Sequence, residues 1–128
     1  MKRNPRWVGV DVALAIHEAQ AARFGGAEGL RDRNALESAL ARPGKIRHYE
    51  PNTGLPRLAA AYAHGITQNH PFVDGNKRTA FLVAAVFLDK NGIFLEAPES
   101  EVAAIMLELA AGTVSEAGFE NWLERHLK

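Results

Sequence analysis

The chain has 128 residues, 47% of them apolar and 23% charged, which fits one globular domain with its own core. Its formal net charge is zero, so no global field points to nucleic acid or to a membrane surface. Cysteine is absent, which excludes disulfides and thiolate chemistry, and the longest apolar run, 80–88, is too short to span a bilayer.

The amino terminus lacks the apolar stretch of a signal peptide, so a cytoplasmic location is expected. Lys2, Arg3 and Arg6 read as a solvated terminus rather than a working basic patch. Val12, Ile16, Ala19 and Phe24 fall on one stripe of a first helix, with Asp11 as its N-cap and Gly25-Gly26 as its stop. Asp32 caps a short second helix through Leu36 and Leu40, which Pro43-Gly44 ends. The stretch "GKIRHYEPNTG", 44–54, has turn formers at both ends and no helical period, so a loop or short extended flap is expected. Pro56 suits the first turn of a third helix running to about Asn69. His70 to Gly75 interrupt the pattern, and a fourth helix runs from near Asn76 to Asn91-Gly92. "IFLEA" is a short extended link. Val102, Ile105, Met106 and Leu109 mark a fifth helix starting at Glu99 or Ser100. Ser115 caps a sixth, whose apolar face is Phe119, Trp122, Leu123 and Leu127. Trp7 and Trp122 read as packing residues. No repeat, low-complexity tract or long linker divides the chain, so the expectation is a single all-α domain over 1–128. Ala80 to Leu88 are apolar on every side, which predicts that the fourth helix is the buried central one.

The stretch "NHPFVDGNKRTAF", 69–81, then sets polar chemistry at the mouth of that helix. The first turn of a helix leaves backbone N–H groups unpaired and carries partial positive charge. With a preceding glycine it forms an anion site suited to phosphate. Gly75 and Asn76 stand at that turn, and Lys77 and Arg78 add full charges. Asp74 is a hard oxygen ligand suited to Mg²⁺ on a phosphate. His70 is the side chain here that exchanges a proton near neutral pH. The bland reading is a turn followed by two solvated cations. Two cations at a helix N-terminus oppose its dipole, which favours a bound anion instead. Pro71 and Phe72 read as structural, one ending a helix and the other plugging the loop into the core. His17, His64 and His126 have no spacing that argues for a metal triad, and they read as helix-face structural residues.

"HPFVDGNKR" resembles the Fic/Doc superfamily signature H-x-F-x-[DN]-[AG]-N, in the form of its death-on-curing (Doc) branch, which continues Lys-Arg. The likeness extends to "AIHEAQAARFGGAEGLRDRNALESALARP", "FLDKNG" and "AAGTVSE", and so covers about Val10 to Leu127. The resemblance implies a compact all-α Fic fold and transfer from ATP with Mg²⁺ onto a protein hydroxyl. By the same resemblance, His70 is the catalytic base, Phe72 the loop anchor and Asp74 the metal-binding acid. Gly75 and Asn76 form the anion cradle, and Lys77 and Arg78 are the phosphate-binding cations.

The adenylylating branch reads H-P-F-x-x-G-N-G-R-x-x-R. Here its second Gly is Lys77 and its second Arg falls on Phe81. Both changes argue against AMP transfer. They point to the Doc-type reaction, a kinase-like transfer of the γ-phosphate, with a threonine of elongation factor Tu as the expected target. A nucleotidyl-transferase and an inactive helical module that only binds its antitoxin are the alternatives. The expected flap, 44–54, lies where the family places its target-aligning segment, and an ordinary surface loop is the equal alternative, so His48 and Tyr49 receive no role. The family's inhibitory motif [ST]-x-x-x-E-[GN] is matched only by Ser115 with Glu120-Asn121, one residue too long. Self-inhibition is therefore not expected, and a separate Phd-like antitoxin is implied. No membrane or direct nucleic-acid partner is expected.

Overall fold

The computed structural model describes residues 4–27 and 29–128. Lys2 and Arg3 lie outside the described residues. Six helices follow in order: α1 (Val10–Phe24), α2 (Arg33–Tyr49), α3 (Leu55–Asn69), α4 (Asn76–Lys90), α5 (Glu99–Ala111) and α6 (Glu116–Arg125). The all-α expectation holds. Among the described residues the extended segments meet only in two isolated antiparallel bridges, Leu30 with Phe72 and Leu95 with Leu127.

The central helix is α3, which corrects the expectation for α4. It packs on α2, α4, α5 and α6, and Leu58 to Ala63 are all fully buried. Its run of small residues permits this close approach. A Cβ on Gly65 would lie 3.2 Å from both Cα and Cβ of Ala39 on α2. Helix α4 buries Ala80, Val83, Ala84, Phe87 and Leu88, while Phe81, Leu82 and Val86 stay half-exposed. Apolar composition on every side marked a helix with two apolar neighbours, a core on one side and a cleft on the other.

The second correction concerns the flap. Helix α2 runs through Pro43 and Gly44 to Tyr49, so the expected flap shrinks to a turn at 50–54. An interior proline forfeits a backbone bond and costs about 3 kcal/mol in helix propensity. Packing overrides that cost: Leu36, Ala39 and Pro43 are buried, and Leu40 and Ile46 lean on the core. Asp32 does cap α2, its carboxylate accepting from Ala35 N–H at 3.0 Å. Ser115 likewise caps α6, accepting from Gly118 N–H. Asp11 is not the N-cap of α1; Gly9 holds that position, and Asp11 sits in the first turn, where a negative charge suits the dipole.

Two cross-links tie the ends of the bundle. The Arg42 guanidinium grips Glu116 through two bonds of 2.7 and 2.6 Å, and Arg57 adds a third at 2.6 Å. This joins α2, α3 and α6. Trp122, buried as expected, stacks on Phe119, and Trp7 stacks on Phe87 while remaining partly exposed. No helix among the described residues is long and apolar enough to cross a membrane.

Candidate functional site

The loop between α3 and α4 is held from three directions. Helix α3 ends at His70 in the left-handed conformation, with φ 51 and ψ 53. A non-glycine residue there costs about 1 kcal/mol or more, so the surroundings must enforce it. Arg31 does so. Its guanidinium donates to the carbonyl of His70 at 2.9 Å and to that of Asn69, satisfying the exposed end of α3. The segment around Arg31 also runs antiparallel to the loop. Arg31 N–H and Asp32 N–H donate to Pro71 C=O at 2.8 and 3.0 Å, and Val73 N–H donates to Gly29 C=O at 3.1 Å.

From below, Phe72 is fully buried, as the sequence reading expected. Its ring stacks on the His17 imidazole of α1 at 3.9 Å, nearly parallel. His17 Nε2 lies 2.8 Å from the carbonyl of Asp74 and donates to it. From the α4 side, the Asn76 amide closes the loop on itself. Oδ1 accepts from Phe72 N–H at 3.0 Å, and Nδ2 donates to Phe72 C=O at 2.9 Å.

These bonds fix which way the Asn76 amide faces. Its remaining N–H points to Nδ1 of His70, 3.1 Å away. Nδ1 therefore accepts, and the neutral ring carries its hydrogen on Nε2. In this resting state His70 offers a donor to the cleft. It can take a proton at Nε2 only after its own hydrogen has moved to Nδ1, at the expense of the Asn76 bond. The side chain of Asn76 is thus spent on positioning. Its share in an anion cradle is its backbone N–H, one of those that a helix start leaves unpaired.

Gly75 precedes α4 with φ 78, where glycine is at ease. Asp74 folds its Oδ1 onto Gly75 N–H at 2.7 Å. Its Oδ2 faces Gly26, where a Cβ would fall 2.7 Å from that oxygen. A side chain at 26 would crowd that oxygen, so glycine there leaves it uncovered on that side. A single exposed carboxylate beside a helix N-terminus fits Mg²⁺ carried in by a phosphate ligand, since Mg²⁺ binds through one or two carboxylates together with substrate oxygens. Among the described residues no cluster of three or more His, Cys, Asp or Glu could hold a metal unaided.

Lys77 and Arg78 are exposed on the first turn of α4, and among the described residues neither has a carboxylate partner. The Arg78 guanidinium lies 3.7 Å over the Phe24 ring, which holds it at the rim. All six predicted site residues, His70, Asp74, Gly75, Asn76, Lys77 and Arg78, border one cleft of about 700 Å³. The far wall is apolar and includes Ile16, Leu82, Val86, Val102 and Met106.

Sequence reasoning missed Arg31 and Gln20, and read His17 as structural, a role its packing beneath Phe72 fits. The buried stripe of α1 is Ala13, His17, Gln20 and Ala21. Of the apolar stripe read from the sequence, Ile16, Ala19 and Phe24 line the cleft, and Val12 and Ile16 also lean on the core. Two polar residues on the buried stripe were the available signal. His48 and Tyr49 lie away from the cleft; His48 borders a separate shallow hollow with Trp7 and Pro51, and Tyr49 is exposed.

The model of the Fic/DOC family matches residues 7–88. The chain is 31% identical over 121 residues to "Protein kinase doc" of Escherichia phage P1, covering 94% of each chain. It is 44% identical over 77 residues to "Toxin Doc" of Mycolicibacterium smegmatis, covering 58% of each. Matched by the family model across its motif and aligned with a relative along nearly its whole length, the chain belongs to the Fic/DOC family.

Proposed function

We propose that this chain is a Doc-type toxin that transfers the γ-phosphate of ATP to a protein hydroxyl, with a threonine of elongation factor Tu as the target, and so blocks translation. The observation that carries the reading is the mouth of α4. Unpaired backbone N–H groups, two cations without carboxylate partners, a carboxylate and an imidazole converge there on one cleft. In the reaction the target oxygen attacks the γ-phosphorus, and the bond to the β–γ bridging oxygen breaks. The hydroxyl proton passes to His70. Lys77, Arg78 and the first N–H groups of α4 hold the phosphates. Mg²⁺ on Asp74 Oδ2 would neutralise phosphate charge when bound.

Two features favour this over nucleotidyl transfer. Lys77 stands where the adenylylating branch has glycine, and Phe81 stands where it has arginine. Phe81 borders the cleft and also packs edge-on against Trp122 of the core at 6.2 Å. The name of the phage relative, a protein kinase, points the same way. The apolar far wall of the cleft supports a protein partner as well, a flexible segment of a Phd-like antitoxin.

The test is incubation with ATP labelled separately at the α- and γ-positions, with purified elongation factor Tu as acceptor. The γ-label is expected on the factor, and His70→Ala should lower transfer by about a hundred- to ten-thousand-fold without loss of fold. Passage of the α-label instead would establish the nucleotidyl-transferase. No transfer of either label, with intact antitoxin binding, would leave the inactive binding module.

A further inference from the structure

Gln20 lies on the buried stripe of α1, only 4% exposed, and also lines the cleft. Its amide lies directly against the turn that opens α4. A Cβ on Gly75 would fall 2.2 Å from its Nε2 and 3.1 Å from its Oε1. Among the described residues this amide makes no hydrogen bond. Three other polar side chains around the loop are engaged: His17 with Asp74, Asn76 with Phe72 and His70, and Arg31 with the end of α3.

The amide opens onto the cleft, so its donors are free for a ligand bound there. Here it borders the place where helix geometry, Lys77 and Arg78 prepare for an anion. An amide N–H is a neutral donor that adds a bond to a phosphate oxygen without adding charge.

We infer that Gln20 is a phosphate-binding residue, supplied by α1 to the cradle at the start of α4, its amide donating to an oxygen of a bound polyphosphate. The inference rests on the nucleotide reading above. It also gives Gly75 a second reason to be glycine: any side chain there would displace the donor.

The experiment compares wild type, Gln20→Met and Gln20→Glu by thermal unfolding and by calorimetric titration with inorganic pyrophosphate and with Mg-ATP. Met keeps the length and removes the donors; Glu keeps the shape and sets a negative charge at the cradle. Without ligand, Gln20→Met should unfold no lower than wild type, because no protein hydrogen bond is lost. Its dissociation constant for pyrophosphate should nevertheless rise about tenfold, the loss of one bond to a charged group. Gln20→Glu should weaken binding further, and it carries the test should the Met variant fail to fold. Wild-type affinity in both variants would reduce Gln20 to packing and overturn the inference while leaving the nucleotide reading in place. Absence of any pyrophosphate or Mg-ATP binding by wild type would overturn both.

Discussion

Replacing Asn76 by alanine should destabilise the whole domain, although the residue lies in a catalytic motif. The side chain is 4% exposed and makes three hydrogen bonds. Two of them satisfy the backbone N–H and C=O of Phe72, a fully buried residue that water cannot reach. Leaving a buried polar group unpaired costs about 1–3 kcal/mol, and the bond to the His70 ring adds about 1 kcal/mol. The better helix propensity of alanine returns a few tenths. The sum is about 3–6 kcal/mol, against a total of about 5–15 kcal/mol for a domain. At roughly 3–4 °C per kcal/mol for this size, the melting temperature should fall by about 10–25 °C. Calorimetry and urea denaturation measure this, the second with an unchanged slope if the variant still folds in two states. A melting temperature within about 2 °C of wild type would refute the claim that Asn76 holds the loop, and would return its amide to the anion.

Three further outcomes are expected. The ¹⁵N shifts of His70 in the free protein should report the Nε2–H tautomer, and an Nδ1–H signature would reverse the orientation derived for Asn76. Thr79→Val should leave stability unchanged or raise it by about 1 kcal/mol in denaturant titration, because the Thr79 hydroxyl is buried without a partner; a loss of 2 kcal/mol or more would mean that the hydroxyl is bonded. Acid should destabilise the bundle in two steps. Burial, opposed by Glu116 and aided by Arg42 and Arg57, holds His64 below its ordinary 6.5. Burial works to raise the Glu116 carboxyl, but the bonds and charges of Arg42 and Arg57 outweigh it and hold the group below its ordinary 4.5. Both groups bind more protons unfolded than folded, so their contributions are complete above about pH 6.5 and are lost on the way down, His64 first and Glu116 below about pH 4.5. His64→Gln should flatten the upper part of the melting-versus-pH curve and Glu116→Gln the lower, and unchanged slopes in both would dismiss the network as the cause.

Helix number, most helix ends and the loop bearing the motif were legible because caps and apolar spacing are local signals. The chemistry of the loop was legible for the same reason: His70 to Arg78 are contiguous, and a helix start has a fixed polarity. What sequence concealed was the neighbour each apolar face meets. Ile16, Leu82 and Val86 carry the same signal whether they face a core or a cleft wall. Pro43-Gly44 read as a stop because local propensity says so, and only the packing of Leu36, Ala39 and Ile46 overrules it. His17, Gln20 and Arg31 are remote from the motif in sequence, so no spacing announced them.

The docking of α1 bears on how the site fails. This helix packs only on α4 and along part of α2, whereas α2, α4, α5 and α6 all pack around α3. It nonetheless supplies the ring beneath Phe72, the donor to the Asp74 carbonyl and the amide against Gly75. Partial opening that frees α1 would dismantle the loop's underside while most of the core stays shut. Hydrogen exchange should therefore run faster along α1 than along α3, and activity should fade on warming before the main unfolding transition begins.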